Sequence, residues 1–205
     1  MILFVHGWGY DARFWDPLRS GLGNLPSAAL DLGYFGSAQL AIPGGITILV
    51  GHSLGFLWLL RQHSLQHLPL IGINPFPRFL ESADYSPAIA SRVLERMKRR
   101  IATDPRGVLA EFWQRAGATG PEESPDPVAL AQGLDQLATW DERENLAARA
   151  SSVRLIAGEE DAIVPADMTR MAFRNFAVDW LQGGHALPRT HPAALAALIT
   201  EASVA

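Results

Sequence analysis

The sequence predicts an α/β fold with a mostly parallel sheet and helices on both faces, and three observations carry that expectation. Short, almost unbroken apolar runs of strand length recur along the chain, helix-length stretches separate several of them, and the runs end in turn-rich segments. Apolar runs of this kind suit strands buried on both faces, and their alternation with helices suits βαβ units. In order, the expected strands are Ile2 to Val5, Ala28 to Leu32, Ile46 to Val50, Leu70 to Asn74, Val153 to Ala157 and Ala177 to Leu181. Helices are expected over Ser53 to His67 and Ala166 to Asn175, and a last helix starts at His191-Pro192. From Pro75 to Leu146 the strand pattern vanishes and three helical patterns take over. The first is announced by Ser86-Pro87, a capping residue followed by proline at the first helical position. Ile89, Val93, Leu94, Met97 and Ile101 would then share one face. Gly117 to Pro127 reads as a loop, and Val128 to Trp140 resumes a helix. The chain therefore divides into a core, residues 1–74 and 147–205, and an inserted helical segment, residues 75–146.

Length and composition narrow the function. With 205 residues, 48% of them apolar, the chain buries a core without disulfides or metal staples. There is no cysteine, which removes thiol nucleophiles and thiolate metal sites, so any catalysis uses oxygen and nitrogen groups. No metal and no cofactor are expected. A net charge of -4 argues against nucleic acid as a partner, because phosphate contacts need a basic surface. The amino-terminal apolar run is too short for a secretory signal, and Leu54 to Leu60 is too short for a membrane span. A soluble, cytoplasmic protein with no membrane partner is the expectation.

Gly51-His52-Ser53-Leu54-Gly55 stands between an expected strand and an expected helix. This is the G-x-S-x-G pattern in the setting of a nucleophile elbow, where a sharp turn lifts the serine hydroxyl above the sheet. A serine hydroxyl is a weak nucleophile near neutral pH and needs a base oriented by an acid. His185, in Gly183-Gly184-His185-Ala186-Leu187-Pro188 just past the last strand, is the expected base. His6 and His52 belong to other motifs, His63 and His67 read as exposed, and His191 opens a helix. Asp161, in the loop after Val153 to Ala157, is the expected acid, with Glu160 as its main rival and Glu159 as a further one. The apolar Ile163-Val164-Pro165 that follows anchors Asp161 better than its neighbours. The tetrahedral oxyanion needs two donors, and the N–H groups of Leu54 and Trp8 are expected to supply them. Trp8, in His6-Gly7-Trp8-Gly9, and Phe76 are the expected substrate contacts.

With those motifs in order, the chain resembles the α/β-hydrolase family over nearly its whole length. Within it, Leu134 to Leu146 and the His6 to Gly9 start are similar to the carboxylesterases that hydrolyse pimeloyl-acyl carrier protein methyl ester in biotin synthesis. The resemblance implies a serine carboxylesterase acting on a medium-chain acyl ester, with the helical segment as a lid. A thioesterase or generic small-ester hydrolase is the second expectation, and a ligand-binding protein on the same fold the non-enzymatic one. Against the family pattern, the chain starts at what would be the third strand, so the fold is expected to be N-terminally truncated. The stretch from Asp31 to Gly51 leaves little room for the usual helix, and Phe56 replaces the small residue often found after the elbow.

Residues 88–115 hold seven basic and three acidic side chains in a chain of net charge -4. Arg92, Arg96 and Arg99 fall on one helical stripe beside the apolar arc. The stripe is expected to lie away from Ser53, either as a solvated face or as the landing surface for an acidic acyl carrier protein.

Overall fold

In the computed structural model, which describes residues 1–204, six parallel strands form one sheet. They are β1 (Ile2–Val5), β2 (Ser27–Leu30), β3 (Ile48–His52), β4 (Leu70–Ile73), β5 (Val153–Gly158) and β6 (Val178–Leu181). Their order is β2-β1-β3-β4-β5-β6, and every neighbouring pair is parallel. Side chains alternate between faces as strand geometry demands: Ile2 and Phe4 join one buried cluster, Leu3 and Val5 the other. Both faces are covered, which is why these strands read as apolar runs.

The helices follow in chain order as α1 (Asp16–Ser20), α2 (Leu54–Leu60), α3 (Ser91–Ile101), α4 (Pro105–Ala116), α5 (Pro127–Thr139), α6 (Arg143–Ala148), α7 (Ala166–Ala172), α8 (Leu187–Thr190) and α9 (Pro192–Val204). Helix α1, which packs on α9, covers the face of Phe4, whereas Phe56 and Leu59 of α2 and Phe173 after α7 cover the face of Leu3. Helices α3 to α6 all lie between β4 and β5. No helix forms between β2 and β3; an antiparallel bridge from Asp31 to Gln39 ties that stretch back instead. Among the described residues no helix is long and apolar enough to cross a membrane.

Three expectations need correcting. The first inserted helix starts at Ser91, not at Ser86-Pro87. The N–H of Ile89 donates to the carbonyl of Phe79 and that of Glu81 to the carbonyl of Ile89, so this stretch is held in a bridge and cannot enter the helix. Ala90 is extended, with ψ of 137°, and the helix begins after it. The helix after Ser53 ends at Leu60, with a separate 3-10 turn at His63–Leu65, and the inserted segment forms four helices where three patterns were read.

The sheet's order reverses between β1 and β3, since the chain moves to one side of β1 for β2 and to the other for β3. A crevice opens at the carboxyl ends of strands at such a switch point, and ligands bind there. Val5 and Gly51 are partners in register at that edge, so the segments His6 to Gly9 and His52 to Leu54 emerge side by side.

Candidate active site

Ser53 has φ of 53° and ψ of -121°, a strained backbone for a residue with a side chain. Its neighbours explain how the turn closes. A Cβ on Gly51 would stand 2.5 Å from Cα of Phe56, and one on Gly55 would stand 2.1 Å from the Val5 carbonyl oxygen. Both obstacles are backbone, so only glycine fits at either position. The Ser53 N–H donates to the carbonyl of Ile73 at 3.1 Å, which fastens the elbow to the end of β4.

Asp161 leaves the end of β5, and its Oδ1 accepts the N–H groups of Ile163 at 2.7 Å and Val164 at 2.8 Å. The apolar residues after it thus do anchor the carboxylate. Oδ2 accepts Nδ1–H of His185 at 2.7 Å, and both side chains are buried. Glu159 and Glu160 are exposed, and Glu159 binds Gln182. With Nδ1 donating to the carboxylate, Nε2 of His185 is left as an acceptor; it is buried and has no hydrogen-bond partner. An imidazole in that tautomer is set up to take a proton. Its ring lies 4.7 Å from the ring of His52, the residue before Ser53.

The N–H of Leu54 stands at the first position of α2, where no carbonyl one turn back is available to it. Trp8 lies in the turn after β1. A Cβ on Gly7 would stand 3.0 Å from Cβ of Ser53, so the turn carrying Trp8 presses directly on the elbow. Among the described residues no group of three or more metal-ligating side chains is present.

Solved esterase structures superpose on nearly the whole chain. An esterase from Exiguobacterium antarcticum superposes with a TM-score of 0.80, 16% identity, and coverage of 100% of this chain and 91% of that one. A thermophilic esterase from Thermogutta terrifontis gives 0.75 at 21% identity, covering 98% and 88%. Among curated proteins, the chain is 28% identical over 202 residues to the pimeloyl-[acyl-carrier protein] methyl ester esterase of Legionella pneumophila (strain Corby), covering 86% of this chain and 81% of that protein. It is 29% identical over 195 residues to the biotin biosynthesis bifunctional protein BioHC of Cellvibrio japonicus (strain Ueda107), where it covers 80% of this chain and 39% of that longer protein. The chain has the α/β-hydrolase fold. No protein-family model matches it.

The protein has a cavity of about 500 Å³ lined in part by Ser53. Trp8, Phe79, Met97, Phe112, Leu134 and Ile163 supply much of its apolar wall. The Trp8 indole N–H donates to the carbonyl of Leu130 in α5 at 2.9 Å, and Phe112 packs edge-on against it with ring centroids 5.1 Å apart. Phe76 is a correction. It is fully buried beside Phe79, at 4.9 Å between rings, and Phe79 rather than Phe76 reaches the cavity. Arg92, Arg96 and Arg99 are a second correction, since all three are exposed yet line the same cavity as Ser53 instead of lying away from it. Helix α3 crosses the cavity, so one stripe of it meets both solvent and the opening.

Two residues of the site were not singled out from sequence. Asn74, at the end of β4 with φ of 47°, and His52 both donate to the carbonyl oxygen of His185, at 2.7 and 2.8 Å. His52 must carry its proton on Nε2 to do so. Burial, and then the nearby His185, hold its pKa well below the ordinary histidine range, so it stays neutral. Phe14 packs on His52 at 4.7 Å from one side. Their partner is a main-chain carbonyl more than 100 residues away, which no local motif encodes.

The last turn of α4 binds three loops of the site. Trp113 Nε1 donates to the Gly9 carbonyl at 2.9 Å, Arg115 to the Ala162 carbonyl at 2.8 Å, and the Ala116 carbonyl accepts the N–H of Ala186 at 3.1 Å. Those loops carry Trp8, Asp161 and His185.

Proposed function

We propose that the protein is a serine carboxylesterase that hydrolyses a medium-chain acyl ester, with Ser53 as nucleophile, His185 as base and Asp161 as its orienting acid. One observation carries this reading: a serine in a strained elbow opens onto an apolar cavity, and the ring of the residue before it, His52, packs 4.7 Å from that of a buried histidine whose Nδ1 is bound to a carboxylate and whose Nε2 is free to accept. Ser53 Oγ attacks the ester carbonyl while its proton passes to Nε2 of His185. The oxyanion rests against the N–H groups of Trp8 and Leu54. Collapse returns the proton to the departing alkoxide and leaves an acyl-enzyme, which a water, deprotonated by His185, then hydrolyses.

The substrate proposed is pimeloyl-acyl carrier protein methyl ester, as named for the Legionella protein. The cavity's apolar wall suits a methylene chain, helices α3 to α6 act as its lid, and Arg92, Arg96 and Arg99 at the opening suit an acidic carrier. The test compares hydrolysis of the carrier-bound methyl ester with that of a small neutral ester. Ser53→Ala lowers kcat on both by roughly four to six orders of magnitude, as when a triad nucleophile is lost. Reversing Arg92, Arg96 and Arg99 to Glu together raises KM for the carrier-bound ester about tenfold or more and leaves the neutral ester within about twofold, because rim charges act mainly on encounter. Near-wild-type turnover by Ser53→Ala excludes the mechanism. Equal losses on both esters, or none on either, exclude carrier docking at α3.

A further inference from the structure

We propose that Asn74 is a positioning residue that sets where His185 stands, by gripping the His185 carbonyl and the Gly158 N–H with a single amide. The inference rests on the reading of His185 as the base and goes beyond it. Asn74 is buried to 1% exposure, and every polar atom of its side chain is used. Nδ2 donates to the carbonyls of His185 at 2.7 Å and Gly184 at 3.1 Å, and Oδ1 accepts the N–H of Gly158 at 2.8 Å.

Each bond ties down a different part of the site. Gly158 ends β5 and starts the turn that leads to Asp161, while Gly184 and His185 form the loop after β6. One amide therefore references the acid's loop and the base's loop to the same point. That point is itself fixed, because the Asn74 N–H donates to the Ile156 carbonyl at 2.8 Å and the adjacent Ile73 carbonyl receives the N–H of Ser53. Nucleophile, base and acid are all held within one residue of the end of β4.

The chemistry of the side chain is specific. The position needs a donor and an acceptor on one short planar group, which an amide supplies and a carboxylate, hydroxyl or alkyl group does not. It also needs a residue that tolerates φ of 47°, and asparagine is among the few besides glycine that do. The His185 carbonyl sits in a loop, buried and without a sheet partner, so Asn74 and His52 together satisfy both of its lone pairs. With its main chain held there and its ring held by Asp161, the imidazole has one orientation. Displacement of a reacting group by about 1 Å costs on the order of a hundredfold in rate.

The experiment uses Asn74→Gly, which keeps the backbone free to adopt positive φ, and Asn74→Asp, which keeps the shape and the acceptor but removes the donor. Two readouts are taken on the full chain: kcat and KM with p-nitrophenyl butyrate, and the downfield proton resonance of Nδ1–H of His185 bonded to Asp161, assigned by its loss in His185→Gln. Expected for both variants is a fall in kcat of about 10- to 100-fold with KM within about twofold, and a broadened or shifted resonance. A folded variant with an unchanged resonance overturns the proposal, whether or not kcat falls. Should Asn74→Gly not fold, Asn74→Asp decides the matter by the same readouts. A wild-type chain that hydrolyses no ester sinks the esterase reading, while the resonance still decides whether Asn74 positions His185.

Discussion

His52 makes one hydrogen bond, to the carbonyl of the residue expected to act as base, and its other ring nitrogen is buried without a partner. Burial first, and His185 second, push its pKa well below the usual value, so the folded protein keeps it neutral where the unfolded chain, with a histidine pKa of about 6.5, takes up a proton. Below that pH the unfolded state binds more protons than the native one, so unfolding free energy rises with pH there and levels off above it. The stability this group contributes is complete above about 6.5 and is lost as pH falls toward the depressed native value. Denaturant unfolding between pH 5 and 7.5 is expected to show a slope of up to about 1.4 kcal/mol per pH unit from this residue. In His52→Gln, whose amide still offers a donor, that slope shrinks by about one proton's worth. An unchanged slope would mean that His52 is protonated in the native state.

Phe56 and Gly72 show how one element fixes another. The ring of Phe56, one residue past the elbow in α2, lies over Gly72 in β4; a Cβ there would stand 2.7 Å from its Cδ2 and 2.8 Å from Cβ of Pro75. The large residue after the elbow is thus accommodated by the absence of a side chain on the neighbouring strand. Gly72→Ala is expected to destabilise by about 1–3 kcal/mol, and combining it with Phe56→Leu to cost less than the two single changes added together, by about 1 kcal/mol or more. Strict additivity in urea unfolding would show that the two side chains do not compete for that space. The departure at Phe56 is legible in sequence, but its compensation is not, since Gly72 looks like any glycine in an apolar run. The same holds more widely. Strands β1 and β4 read clearly because they are apolar on both faces, and Ser53 because its glycines stand at fixed spacing. Asn74 leaves no such trace, and Ser86-Pro87 misleads because the bridge between Ile89 and Leu80 outweighs a good local cap.

Across the whole molecule, the site joins segments that begin at residue 6 and end near residue 186, and the last turn of α4 is where three of them meet. That the strands run parallel could be anticipated, whereas the order that opens the crevice between β1 and β3 could not. What no pattern of residue types conveys is that Trp113, Arg115 and Ala116 reach Gly9, Ala162 and Ala186. That arrangement predicts that covalent continuity after α4 is dispensable. The loop from Gly117 to Asp126 exposes Glu122 and Glu123, whereas α4 on one side is held by bonds to the core and α5 on the other by the Leu130 carbonyl and the Lys98–Asp135 pair. Cutting the chain here, through a recognition sequence for a site-specific protease inserted between Glu122 and Glu123, should yield two fragments that run together on gel filtration and keep ester hydrolysis, with β4 in one fragment and β5 in the other still paired. Loss of activity in step with cleavage would mean that the loop itself, and not its anchored neighbours, keeps the site assembled. If the two pieces hold together, the protein can be expressed as a split chain, each half silent until it meets the other.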